Sequence, residues 1–277
     1  MQSNIYKKAY AEYCFDHKTI KEIAARYGKG ERTVRRNFDR LSCQCRFEQG
    51  KSKYINLVFD GVYFGRDLCY MVCRADGRKI YYEECAETIE NIAGMLLKLE
   101  AMGYVLKSFT VDGRKGVKDY LKWRYPDVPL QHCVFHQKAA VRRYLTGRPK
   151  TECGKALLEL VSRISVSDKY SFCLEYNALK TGYAGFLKER NVSGQFMHKR
   201  LRSAFRSLAQ NLPELFTWQD FPDLEIPTTT GSCEGYFGQM KRKVRTHPGL
   251  KIFRLKKLVL RLLSGRQKTG VTNQNDH

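Results

Sequence analysis

The chain has 277 residues, enough for a large domain and a small one, and its 43% hydrophobic content excludes a purely disordered segment. Lys and Arg total 50 against 28 Asp and Glu, a formal charge of +22 spread along the whole length; a polyanion is the natural partner for such a surface, because each neutralised phosphate releases counterions. No run approaches the roughly 18 apolar residues of a membrane helix, and Met1–Tyr10 lacks the apolar core of a signal peptide, so the expected location is the cytoplasm, at the nucleoid.

The first 42 residues read as helical. Ile5, Tyr6, Ala9, Tyr10 and Tyr13 recur at helical spacing. Thr19 with Glu22 forms a capping box ahead of an apolar face of Ile20, Ile23, Ala24 and Tyr27. Gly28 and Gly30 break that helix, and a second begins at Glu31 with Val34, Phe38 and Leu41 inward. Two short helices joined by a tight glycine turn have the pattern of a helix-turn-helix. Arg32, Thr33, Arg35, Arg36 and Arg40 fall on the solvent side of the second helix, where they suit base edges and phosphates of the DNA major groove; a helical hairpin with a solvated basic face is the alternative. Residues 43–53 are polar, without a period, and read as a linker.

From Tyr54 the pattern changes to strands. Tyr54–Phe59 is apolar and ends at Asp60-Gly61; Leu68–Cys73 and Lys79–Tyr82 follow, joined by a hairpin turn at Asp76-Gly77. Thr88–Met102 is an amphipathic helix with Ile89, Ile92, Leu96, Leu97 and Leu99 among its apolar positions. Leu106–Val111 is a fourth strand ending at Asp112-Gly113, Val117–Trp123 a helix, and Pro129–Val134 a fifth strand before another helix. Residues 149–227 show only helical stretches (Cys153–Val161, Lys169–Leu179 and Met197–Asn211) and read as an insertion. Residues 228–264 return to the core with a helix carrying Glu234 and a basic helix from Lys251 to Leu263, and 265–277 form a polar tail. The order predicts an α/β (α+β mixed sheet) class: a ribonuclease-H-like core, 54–148 and 228–264, interrupted by the helical insertion and preceded by the helix-turn-helix domain, 1–42.

Asp60 and Asp112 each follow an apolar strand, and such strands commonly lie side by side in a mixed sheet. Glu234 lies in the first turn of a helix that could close over them. Three carboxylates of this kind suit two divalent metals for phosphoryl transfer, since hard cations prefer oxygen ligands. Each acid also has a plain reading: Asp-Gly is a turn signal, and a first-turn Glu complements a helix dipole. Cys133 and His136 form C-x2-H, which is half a zinc site with no second half visible, a contact to phosphate or metal-bound water, or a structural pair. The ten cysteines (14, 43, 45, 69, 73, 85, 133, 153, 173 and 233) are irregularly spaced, as buried thiols in a reducing compartment would be.

Five stretches together resemble bacterial insertion-sequence transposases of the Mutator-like group, whose core is similar to retroviral integrase: Val58–Phe64, Thr110–Gly116, Gln131–His136, Thr228–Gly235 and Lys241–Leu250. The resemblance covers roughly Tyr54 to Leu263 and departs at Gly231, where the group often has Asn. It implies a DDE transposase. Asp60, Asp112 and Glu234 would be its catalytic metal-binding triad, with Cys133 and His136 near the catalytic centre and two Mg²⁺ (or Mn²⁺) ions as cofactor. Lys241, Arg242, Lys243, Arg245 and His247 follow Glu234 closely and suit a grip on DNA beside the cut, or a solvated basic face. The implied partners are double-stranded DNA, as transposon-end inverted repeats and target, and a second copy of the chain in a dimer or larger assembly. Two rival readings remain: a DNA-binding regulator derived from an inactive transposase, and a structure-specific nuclease of the same fold.

Overall fold

The computed structural model describes residues 2–42 and 52–265. The expected tail beyond Gly265, most of the expected linker, Cys43 and Cys45 lie outside the described residues. Of the other eight cysteines six are buried, Cys14, Cys69, Cys73, Cys133, Cys153 and Cys233. The chain divides into two compact units: residues 1–48, 64–68 and 235–277 in one, and 49–63 with 69–234 in the other.

The larger unit is built on a five-stranded mixed sheet of order β3-β2-β1-β4-β5, with β1 Tyr54–Phe64, β2 Leu68–Ala75, β3 Arg78–Glu84, β4 Val105–Val111 and β5 Leu130–His132. The hairpin of β2 and β3 turns at Asp76 and Gly77, both at positive φ (50° and 70°), the conformation that Asp-Gly predicts. β1 and β4 pair in parallel, as do β4 and β5. This mixed arrangement is consistent with the ribonuclease-H-like expectation. One detail differs. β1 does not stop at Asp60-Gly61 but continues to Phe64, with Val62 and Phe64 buried beyond the Asp-Gly pair.

Thr88 caps α4 (Ile89–Ala101), whose Ile92, Met95, Leu96 and Leu99 pack on the sheet. Leu97 and Ile89, expected on the apolar face, are exposed, and Met95 takes the inward position. α5 (Lys115–Arg124) adds Val117 and Leu121 to the same core. After β5 comes α6 (Val134–Leu145), then α7 (Glu152–Ser162), α8 (Lys169–Gly182), α9 (Ala184–Lys188), α10 (Lys199–Leu215) and α11 (Thr217–Asp220). These helices enclose a second core of Val141, Leu157, Phe172, Ala204, Leu208 and Phe216 among others. The helical block is fastened to the sheet edge. The Gln131 side chain donates to the Leu215 carbonyl (2.9 Å), Thr217 donates to the Leu130 carbonyl (2.8 Å), and Lys118 and Lys122 of α5 both pair with Glu214.

In the smaller unit, α1 (Gln2–Phe15), α2 (Ile20–Arg26) and α3 (Glu31–Arg40) surround Tyr10, Tyr13, Ile23, Ala24, Val34 and Phe38. Thr19 and Glu22 form the expected capping box, and Gly28 turns the chain at φ 59°. α12 (Gly231–Arg245) passes from the larger unit into the smaller one. α13 (Ile252–Ser264) belongs wholly to the smaller unit and not to the core to which the sequence assigned residues 228–264. Its buried face, Leu258, Val259, Leu262 and Leu263, and the Arg254–Asp39 ion pair (2.7 Å) explain the placement. No helix among the described residues is long and apolar enough to cross a membrane.

Candidate active site

The parallel register sets the site. Val58 of β1 pairs with Thr110 of β4, so two residues further on Asp60 and Asp112 arrive at the same level of adjacent strands. Val111 pairs with His132 of β5, and Cys133 follows at the level of Asp112, its N–H bonded to the Val111 carbonyl (2.9 Å). Gly113 lets the chain leave β4 against the His132 ring: a Cβ there would stand 2.5 Å from His132 Cε1. His132 itself is buried, with Gln137 as its polar neighbour. Burial, with Lys118 nearby, lowers its pKa to about 4, so the ring is neutral.

Glu234 reaches this edge through the segment before α12. The Thr110 hydroxyl donates to the Pro227 carbonyl (2.6 Å), and the Val134 N–H donates to the Thr228 carbonyl (3.0 Å). The segment leading into α12 is thereby tied to β4 and to the start of α6. Thr230 is the hub: its hydroxyl lies 3.1 Å from Glu234 Oε1, 3.3 Å from Cys133 Sγ and 3.4 Å from His136 Nδ1, and its N–H donates to Cys133 Sγ (3.2 Å). His136 Nε2 stands 3.7 Å from Glu234 Oε1.

The electrostatics are those of crowded carboxylates. Burial first, then the nearby charges of Asp112 and Glu234, raise the Asp60 pKa to about 6, against the Gly61 N–H that donates to its Oδ1 (2.8 Å) and the His136 charge. A fourth acid, Glu87, joins them. Burial and Asp112 push it up to about 7 although Arg114 pairs with it at 2.9 Å. Arg114 also donates its backbone N–H to Asp112 Oδ1 (3.2 Å), so a single residue holds both acids. On the other side, the Cys133 hydrogen bond raises His136 to about 9 against desolvation. Burial would raise the Cys133 thiol, but hydrogen bonds from His136 and Thr230 outweigh it and lower the pKa.

Asp60, Asp112, Glu234, Cys133 and His136 therefore come from separate parts of the chain to one end of the sheet. Their charges fit a divalent cation: four acids with one paired Arg and one His leave negative charge that a hard cation would neutralise, and oxygen donors are its preferred ligands. Among the described residues, the metal-ligating trio whose atoms lie within 4.8 Å of one another is a different one: Cys133, His136 and Glu234. Glu87 and Thr230 were not singled out from the sequence. Thr230 sits inside the motif around Glu234, but Glu87 carries no signal beyond an acid just before a helix N-cap.

The basic residues divide. On α3, Arg32, Arg35, Arg36 and Arg40 are exposed and Thr33 is half-buried; Arg35 pairs with Glu31 at 2.9 Å. On α12, Lys241, Arg242 and Arg245 are exposed. Lys243 is partly withdrawn and donates to the Phe15 carbonyl (2.8 Å). His247, expected to face DNA, is instead buried: its ring stacks on Tyr13 at 3.8 Å and Nε2 meets the Tyr13 carbonyl at 2.9 Å.

No family model matches the sequence, and no curated protein matches it. Among solved structures the chain is similar to that of the Drosophila P element transposase strand transfer complex, at 11% identity over 95% of this chain and 92% of that one, with a TM-score of 0.47.

Proposed function

We propose that the protein is a DDE transposase that cuts DNA at the ends of a mobile element and joins the freed ends to target DNA. The observation that carries the reading is the meeting of Asp60, Asp112 and Glu234 at one sheet end, close enough that each of the other two raises the pKa of Asp60. The residue motifs that resemble Mutator-like transposases point the same way.

In this reading Asp60, Asp112 and Glu234 hold two Mg²⁺ or Mn²⁺ ions. Such a pair, when bound, activates an attacking oxygen and stabilises the leaving one in an in-line displacement. The protein's part is positional. Arg114 fixes Asp112 and Glu87, Gly61 donates to Asp60, and Thr230 orients Glu234. His136 supplies positive charge next to the carboxylates, suited to the phosphate being cut. Residues 1–42 serve as the helix-turn-helix, with Arg32, Arg35, Arg36 and Arg40 of α3 toward the inverted repeats. Lys241, Arg242 and Arg245 of α12 grip DNA close to the cut. Two ends must be joined, which calls for a dimer or larger assembly on DNA.

The test is nicking of labelled element-end DNA with Mg²⁺ or Mn²⁺. Wild type is expected to cut, and Asp112→Asn to bind with unchanged affinity and not cut. Equal cutting by both would remove Asp112 from the reaction and the reading with it.

A further inference from the structure

We propose that Cys133, His136 and Glu234 form a binding site for one thiophilic divalent cation of the zinc class, a site that shares Glu234 with the carboxylate cluster. The sequence shows only C-x2-H, half of such a site. The fold supplies a third ligand from almost a hundred residues away, because Val134 and Thr228 tie the start of α6 to the segment leading into α12.

The geometry is nearly closed. One ligand atom from each of the three residues lies within 4.8 Å of the other two, and His136 Nε2 to Glu234 Oε1 is 3.7 Å. A tetrahedral zinc ion with Zn–S near 2.3 Å and Zn–N or Zn–O near 2.0–2.2 Å has ligand–ligand edges of roughly 3.3–3.6 Å. Small side-chain rotations bridge that difference. The Thr230 hydroxyl touches all three ligands and is placed to orient them from outside the coordination sphere. Three protein ligands leave the fourth position open.

Charge decides whether a cation is tolerated there. Each helix start contributes about half a positive charge, about one in total from α6 and α12. A cysteinate and a carboxylate bring two negative charges, and the cation takes the place of the proton that His136 otherwise carries, so with a neutral imidazole ligand the balance favours a cation. Softness decides which one: sulfur and imidazole select zinc over magnesium, whereas the carboxylates of Asp60, Asp112 and Glu87 select magnesium. Zinc at this site takes a Glu234 oxygen that the carboxylate cluster would otherwise use. It therefore competes with the hard cation of the proposed reaction, and only this last step rests on the transposase reading.

The experiment uses Co²⁺ as a spectroscopic probe of the full-length protein. One equivalent is expected to give a thiolate-to-cobalt charge-transfer band with the d–d bands of a four-coordinate ion, displaced by Zn²⁺ but not by excess Mg²⁺. Cys133→Ser should abolish the charge-transfer band. Glu234→Gln should weaken Zn²⁺ binding about 10-fold or more, at least what an outer-shell partner is worth. Because Cys133 is buried and its variant could fold poorly, zinc-edge X-ray absorption on the wild type is the second measurement: a single sulfur at about 2.3 Å is expected. A spectrum without sulfur, or with two or more, overturns the proposal, as does Zn²⁺ affinity untouched by Glu234→Gln. None of these readouts requires DNA cleavage, so their failure leaves the transposase reading standing, and a protein that never cuts DNA could still bind zinc.

Discussion

Asp60 shows in one side chain the conflict between folding and chemistry at this site. Its folded pKa, about 6, lies above the usual carboxylate range because burial and neighbouring acids penalise the charge. A raised folded pKa means that the folded state holds the proton longer than the unfolded chain. The stabilisation is complete below about pH 4 and is lost as pH rises through about 6. Asp60→Asn should therefore be more stable than wild type at pH 8 without metal, by on the order of 2 kcal/mol, with the gap closing toward pH 4. Urea denaturation at the two pH values checks this, and an Asn variant less stable at pH 8 would contradict the crowding. Mg²⁺ should raise the stability of wild type and not of the variant, by mass action on the folded state. Asp60, Asp112 and Glu234 could be singled out in the sequence because each stands at a recognisable local signal, an apolar run ending in Asp-Gly or the first turn of a helix. Glu87 could not, because its place beside Gly61 and Arg114 depends on how the segment between β3 and α4 folds back, which no periodicity records.

Elements position these residues by register and by close approach. The strands, the hairpin turn and the capped helices could be read from alternation, Asp-Gly and Thr caps, signals that depend only on local backbone preference. The end of β1 could not: Asp60-Gly61 reads as a turn, yet the strand continues with Val62 and Phe64 buried beyond it. Gly113 is the tightest point, where any side chain collides with His132. Gly113→Ala should lower stability by about 1–3 kcal/mol, as overpacking of a dense core does, and should weaken Mg²⁺ binding by displacing the adjacent Asp112; calorimetric titration and thermal denaturation read the two effects. α3 and His247 separate in the same way. Arg36→Ala on the exposed face of α3 should reduce the salt dependence of DNA binding by about one unit of slope. His247→Ala should leave the slope unchanged and lower the melting temperature, because the ring is stacked on Tyr13. A slope lost in the His247 variant would return that residue to the DNA interface.

At the scale of the whole molecule, a formal charge of +22 with exposed arginines on α3 and α12 suits a protein that holds a polyanion along much of its surface. Charge was readable from composition. The division into units was not, because most of α12 and all of α13 continue in sequence from Glu234 but are grouped with the first three helices, and α13 buries an apolar face there. Strand transfer is the decisive assay for DNA joining at the carboxylate cluster. A pre-cut element end is incubated with target DNA and Mg²⁺, using wild type, Asp60→Asn and Glu234→Gln. Joined product is expected from wild type with a 3′-hydroxyl end, none with a 3′-deoxy end, and none from either variant although both bind the end. Binding of the end by all three proteins, with neither cutting nor joining by wild type under Mg²⁺ or Mn²⁺, would contradict the transposase reading and leave a DNA-binding regulator in its place.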